Sequence, residues 1–283
     1  MLKRLSVAGL VIMGWSALAI GASTAAVGWY VVSQDILTLH RQPATAQVSY
    51  GTDPLEYGLL RLPAGAGPHP VAIVIHGGCW LASLATVQNT EPLADALRDQ
   101  GFATWNIEYR SNDIAGGGFP GTFTDIGQAV DYIRHLEKPY HLDLSRVAVI
   151  GHSAGGQLAL WAAARHKLPK TSALYVPDPL PLRGVVVMGG VTDLKLAKDP
   201  AAAVCGANVV GQLLGVPKGP IPAARYQETS PIDSLPLSVP QVLIYGQADH
   251  IVPIAMGRHY QAAAEKAGDH VMLKEIPYAA HQE

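Results

Sequence analysis

Ser153 lies in Gly151-His152-Ser153-Ala154-Gly155, a Gly-x-Ser-x-Gly run between an apolar strand-like stretch (147–150) and an Ala/Leu-rich stretch (157–165). A serine between a strand and a helix, flanked by glycines, can occupy a sharp turn that exposes its hydroxyl. That hydroxyl becomes a nucleophile when a base takes its proton and a carboxylate orients the base. Asp249 follows a strand-like run at 241–245, and His281 follows another at 271–276, so both fall in loops after late strands. His250 is the rival base, but its adjacency to Asp249 suits a linear relay poorly. A tetrahedral intermediate also needs hydrogen-bond donors aimed at its oxygen. His76-Gly77-Gly78-Cys79-Trp80 comes directly after the apolar 71–75 run. Its glycines let the backbone curl, so that the amides of Gly78 and Cys79 can join that of Ala154 as an oxyanion hole. The chemistry is acyl transfer to a serine. With 29 glycines in 283 residues, the pentapeptide alone reads equally well as a glycine-rich turn. Its weight comes from the second motif before it and the acid and base after it.

The elements that must position these groups follow an alternating rhythm. Extended runs at 46–50 and 57–62, separated by Gly and Pro, predict an opening antiparallel meander. Strands are expected at 71–75, 102–109, 147–150, 184–188, 241–245 and 271–276, and helices at 90–100, 123–136, 157–166 and 255–267, with Thr122 capping the second helix. Strands alternating with helices predict a mostly parallel sheet covered on both faces. Residues 192–238 break the rhythm with prolines and short apolar pieces, and they read as an insertion, a lid or pocket wall. The acyl and alcohol sites would be shaped by Trp80, residues 81–88 and lid residues near 204–214, with Trp80 and His152 as substrate-binding residues.

At 49% hydrophobic and 15% charged, the chain can bury one large core. Its net charge of −2 gives no electrostatic case for a nucleic-acid partner. No phosphate-binding loop, His-Glu-x-x-His pair or Cys-x-x-Cys appears, so neither a metal nor another cofactor is expected. Lys3 and Arg4 precede a run without charge that ends at Asp35. Residues 1–34 therefore read as a membrane anchor (5–28) or as a signal peptide with its apolar core at 5–20. Either reading puts the catalytic part, residues 44–283, outside the cytoplasm, tethered or released. The two cysteines, Cys79 and Cys205, leave two readings open. An exported chain permits a disulfide between the oxyanion turn and the lid, whereas two buried free thiols are the commoner outcome.

These motifs together resemble the α/β-hydrolases of the carboxylesterase class that are related to hormone-sensitive lipases and kynurenine formamidases. The resemblance rests on His76-Gly77-Gly78-Cys79-Trp80, Asn106-Ile107-Glu108-Tyr109-Arg110, Phe119-Pro120 with Asp125, Gly151-His152-Ser153-Ala154-Gly155-Gly156, and Asp249 with Val252-Pro253. It covers residues 48–283. It implies an α/β-hydrolase fold with a small lid, Ser153 as nucleophile, His281 as base, Asp249 as orienter, and Gly78, Cys79 and Ala154 as oxyanion donors. Tyr109, Arg110 and Asp125 are read as structural. The implied activity is hydrolysis of small to medium carboxylic esters. The His-Gly-Gly-x-Trp form is similar to that of arylformamidases in particular, which makes formamide hydrolysis the alternative. A third possibility is a tethered, hydrolase-like binding protein. In the family pattern a terminal helix follows the histidine, whereas here only Gln282 and Glu283 follow His281. A mobile His281 is therefore expected.

Overall fold

The computed structural model describes residues 35–282. The apolar segment 1–34, with its expected anchor or signal role, lies outside the described residues. Among the described residues no helix is long and apolar enough to cross a membrane.

Eight strands form one sheet: β1 (Ala46–Ser49), β2 (Tyr57–Arg61), β3 (His69–Ile75), β4 (Ala103–Ile107), β5 (Leu142–His152), β6 (Gly184–Met188), β7 (Gln241–Gly246) and β8 (Val271–Ile276). Their spatial order is β1-β2-β4-β3-β5-β6-β7-β8. β2 pairs antiparallel with β1 and β4, and every other pairing is parallel. Parallel neighbours need crossovers, supplied by α1 (Glu91–Asp99), α2 (Gly121–Tyr140), α3 (Ala154–Ala164) and α7 (Ile254–Lys266). Helices on both faces explain the unbroken apolar runs of the central strands: all five residues of β4 and the last five of β3 are buried. α3 is buried along its whole length, which is why it is built almost entirely of small and aliphatic residues. This is the mostly parallel α/β-hydrolase fold that the sequence predicts.

The capping expectation at α2 needs correction. The helix starts at Gly121, after Pro120. Thr122 Oγ1 donates to the Arg110 carbonyl and accepts the Gly118 amide at 2.9 Å. Thr122 thus ties the helix start to the loop after β4, a tertiary demand that overrides local capping. The structural readings of Arg110 and Asp125 agree with an ion pair between them, joined by Glu56. The 192–238 insertion folds as α4 (Leu194–Cys205), α5 (Val209–Leu213) and α6 (Ala223–Thr229).

Register aligns the strand ends that matter. Ile75 pairs with Gly151, His152 with Met188, Met188 with Ile244 and Gly246 with Ile276. The C-terminal ends of β3, β5, β6, β7 and β8 therefore share one edge, where open α/β sheets place their ligands.

Candidate active site

Ser153 is the single residue between β5 and α3, with φ 53° and ψ −121°. A left-handed φ is uncommon for a non-glycine residue and persists where surroundings enforce it. Here the Ser153 amide donates to the Met188 carbonyl at 2.9 Å, and the Ser153 carbonyl accepts the Gly156 amide at 2.9 Å. Gly155 lets the helix begin hard against β3, since a Cβ there would stand 2.3 Å from the Ile75 carbonyl oxygen. Ala154 is the first residue of α3, so its amide has no acceptor inside the helix and lies at the positive end of the helix dipole.

The turn after β3 is curled by three successive left-handed residues, Gly78 (φ 91°), Cys79 (φ 58°) and Trp80 (φ 56°). The loop after β4 clamps it. His76 Nε2 lies 2.8 Å from Glu108 Oε1, Tyr109 Oη donates to the His76 carbonyl at 3.1 Å, and the Asn112 amide donates to the Trp80 carbonyl at 2.7 Å. Burial pushes the Glu108 carboxyl up, but His76 and the amides of Val87 and Tyr109 outweigh it and hold the group below its ordinary value. A buried, ionised Glu108 thus anchors the turn from beneath. The indole of Trp80 donates to Gln157 Oε1 on α3 at 3.1 Å, joining the turn to the helix that follows the serine.

His281 Nδ1 lies 2.7 Å from Asp249 Oδ2, and both residues are buried. The other carboxylate oxygen accepts the amides of Ile251 at 2.8 Å and Val252 at 2.9 Å, which fixes the acid in its loop. Nε2 of His281 is buried without a hydrogen-bond partner among the described residues. The imidazole is thus oriented on one side and free on the other, and it does not hydrogen-bond the Ser153 hydroxyl in this geometry. Such contacts commonly tighten only when substrate binds. His250 is exposed and takes no part.

His281 is held from a second side as well. Nε2–H of His152 donates to the His281 carbonyl at 2.8 Å, and the two rings lie 4.8 Å apart. Burial, and next the neighbouring His281, lower the His152 pKa to about 4, so it stays neutral and keeps that donor in place. Gly189, just after β6, completes the seat. A Cβ there would stand 3.2 Å from His281 Nδ1 and 3.3 Å from Asp249 Oδ2.

Two spaces flank the turn after β3. A cavity of about 20 Å³ is lined by Cys79, Trp80, Ser153 and Ala154 on the sheet side, and by α4 and the 251–256 segment on the other. A second, of about 180 Å³, is bordered by Gly77, Gly78, Ala85, Asn89, His152 and Gln282 among others. Trp80 therefore lines the space at the serine, whereas His152 borders the larger space while its Nε2 is committed to His281. Of residues 81–88, Ala85 borders a space. Of residues 204–214, Cys205 does, whereas Val209, Val210, Leu213 and Leu214 are buried in the core. Cys79 and Cys205 form a disulfide with a Cα separation of 5.6 Å, which decides between the two readings in favour of pairing. Pairing places an α4 residue beside the turn after β3. Sequence reasoning missed Gly189, Val191, Ala197, Ile251 and Met256 at the site, because nothing local distinguishes them from other small or apolar residues. Proximity in sequence to the ends of β6 and β7 is the one signal that could have found them.

A serine on a strand-to-helix elbow, facing the edge where an Asp-bonded histidine arrives, at the C-terminal ends of a mostly parallel sheet, is the architecture of an α/β-hydrolase. The BD-FAE family model matches residues 60–263, and the chain belongs to that family, an α/β-hydrolase family of esterases. Two relatives from Mycobacterium tuberculosis are the esterase LipQ, 24% identical over 221 residues, and the esterase LipC, 26% identical over 244 residues. These matches cover 75% and 83% of this chain but 50% and 59% of the relatives, so the chain spans little more than half their length. Among solved structures, a truncated carbohydrate esterase from gut microbiota superposes with a TM-score of 0.70 at 23% identity, covering 86% of this chain and 92% of that one. Esterase B from Lactobacillus rhamnosis gives 0.75 at 18% identity, covering 92% and 85%. At these identities the structural likeness establishes the fold.

Proposed function

We propose that this chain is a serine hydrolase of carboxylic esters that works through an acyl-enzyme. His281 Nε2 takes the proton of Ser153 Oγ as that oxygen attacks the ester carbonyl. The amides of Gly78, Cys79 and Ala154 receive the charge that develops on the carbonyl oxygen, and Asp249 stabilises the imidazolium through Nδ1. The protonated histidine then passes its proton to the departing alcohol. Water attacks the acyl-serine with the same histidine as base, releasing the acid. The observation that carries this is the pairing of a left-handed Ser153 elbow with a buried His281–Asp249 pair whose outer nitrogen is free. Esterase relatives in the same family support the ester as substrate. An N-formyl aryl amide is the second reading, favoured by the His76-Gly77-Gly78-Cys79-Trp80 form of the turn.

Short p-nitrophenyl esters compared with N-formylkynurenine decide between these. The ester is expected to exceed the formamide in kcat/KM, and Ser153→Ala is expected to lose roughly 10⁴-fold or more. A preference for the formamide would make the chain an arylformamidase. Hydrolysis of neither would leave a binding role. We further propose that residues 1–34 deliver the catalytic part outside the cytoplasm, on the strength of Lys3 and Arg4 before an uncharged apolar run. Sequencing the N-terminus of the mature protein distinguishes a retained anchor from a cleaved signal.

A further inference from the structure

Gly78, Cys79, Trp80 and Leu81 form a tight turn after β3, closed by the Leu81 amide donating to the Gly78 carbonyl at 2.8 Å. Both central residues are left-handed, Cys79 with φ 58° and Trp80 with φ 56°. Turns with two such residues are ordinarily built from Gly, Asn or Asp, which reach positive φ at least cost. Here the two places hold a cysteine and a tryptophan, each with a Cβ that disfavours this conformation. Cys79 is buried, and among the described residues its amide has no protein acceptor. A buried backbone N–H without a partner is rare in folded proteins. A strained residue of this kind persists only where its surroundings over-determine it.

Each of the two central residues is restrained through its own side chain. The Trp80 indole donates to Gln157 on α3 at 3.1 Å, and the Trp80 carbonyl also accepts the Asn112 amide at 2.7 Å. Cys79 is held by its bond to Cys205, the last residue of α4. That helix makes a firm post. Asp193 caps its start by accepting the amides of Lys195 at 2.8 Å and Leu196 at 3.1 Å, and Leu194 and Ala197 are buried in the core. The bond therefore runs from the turn residue with the unpaired amide to a helix anchored independently of the turn.

We propose that Cys205 is a positioning residue: by bonding Cys79 it holds that residue in the left-handed conformation that aims its amide at the developing oxyanion. This rests on the ester-hydrolase reading above, in which the Cys79 amide is one of three donors. Such a donor stabilises the transition state more than the bound ester, and its strength depends steeply on direction. Without the bond, Cys79 is free to relax toward negative φ, which turns its N–H away. The loss then falls on kcat and leaves KM nearly unchanged. Glycine populates positive φ about as readily as negative φ, so a glycine at position 79 needs no such restraint.

The test is kcat and KM for p-nitrophenyl acetate, per folded chain by circular dichroism, at a temperature below the Tm of every protein compared. Wild type is set beside Cys205→Ala, Cys79→Ala with Cys205→Ala, and Cys79→Gly with Cys205→Ala. Every variant lacks the bond, so a bond that only stabilised the fold would affect them alike. Cys205→Ala and the alanine double variant are expected to lose about tenfold or more in kcat, with KM within about twofold of wild type. The glycine double variant is expected to exceed the alanine one in kcat by about fivefold or more, although its Tm is no higher. A wild-type kcat in folded Cys205→Ala overturns the proposal, as does a glycine double variant no faster than the alanine one. Both of those results leave the ester-hydrolase reading intact. No hydrolysis of the ester by wild type overturns that reading and this inference together.

Discussion

His152 occupies the variable position before Ser153, yet its hydrogen bond goes to the backbone of His281, 129 residues away. Its pKa, lowered by burial to about 4 from 6.5, makes it a source of acid sensitivity. The unfolded chain binds a proton at pH values where the folded one does not, so stability is fully present above about pH 6.5 and falls as pH drops toward 4. His152→Gln removes this titration and keeps an amide N–H within range of the His281 carbonyl. Thermal melts between pH 7 and 4.5 should therefore show a smaller loss of Tm in the variant than in wild type. An identical pH slope in both would refute the buried neutral state. At Asp249 the expected change is catalytic. Asp249→Asn leaves the loop amides an acceptor but removes the charge that stabilises the imidazolium, and kcat for an acetyl ester should fall by about 10⁴-fold. The placement of Ser153, Asp249 and His281 after successive strands was legible in the sequence because one fold requires that order. The carbonyl contact of His152 was not legible, because it depends on how the final loop folds back over the elbow.

Elements carry the rest of the site. The elbow, the turn after β3 and the segment after β6 are close-packed backbone, where glycine sets how near two segments come. Gly189 is the sharpest case. Its φ of 51° costs an L-residue roughly 1–2 kcal/mol, and a Cβ would crowd both His281 and Asp249. Gly189→Ala should keep the far-UV circular dichroism of wild type while lowering kcat by about tenfold or more. A wild-type kcat in a folded variant would show that the pair tolerates displacement. The central strands β3 and β6 were readable as unbroken apolar runs, whereas the start of β5 was not, because Asp143, Ser145 and Arg146 interrupt its apolar pattern. The start of α2 was not, since Thr122 is committed to the loop after β4 rather than to its own helix. The 192–238 insertion was legible as an interruption of the rhythm, whereas which of its helices reaches the space at Ser153 was not. The α5 residues Val209, Val210 and Leu213 fill core, and α4 alone reaches the serine, for a reason that lies in the disulfide.

At the scale of the whole molecule, one covalent link spans 126 residues between the turn after β3 and α4. Closing so long a loop restricts the unfolded chain, and bridges of this kind contribute about 2–4 kcal/mol. Cys205→Ala should therefore lower Tm clearly under non-reducing conditions, and a dithiol reductant should lower the wild-type Tm toward the same value. Equal melting with and without the bridge would contradict this. The pairing was undecided in the sequence because two cysteines carry no distance. The sheet explains the remainder: five strand ends brought level at one edge unite residues from 76 to 281 around Ser153. The account stands or falls on that serine. Labelling with a fluorophosphonate, followed by peptide mapping, tests it most directly. One probe per chain on the peptide containing Ser153, absent in Ser153→Ala, is the predicted result. Absence of labelling in folded wild type, or labelling that persists in Ser153→Ala, would contradict it.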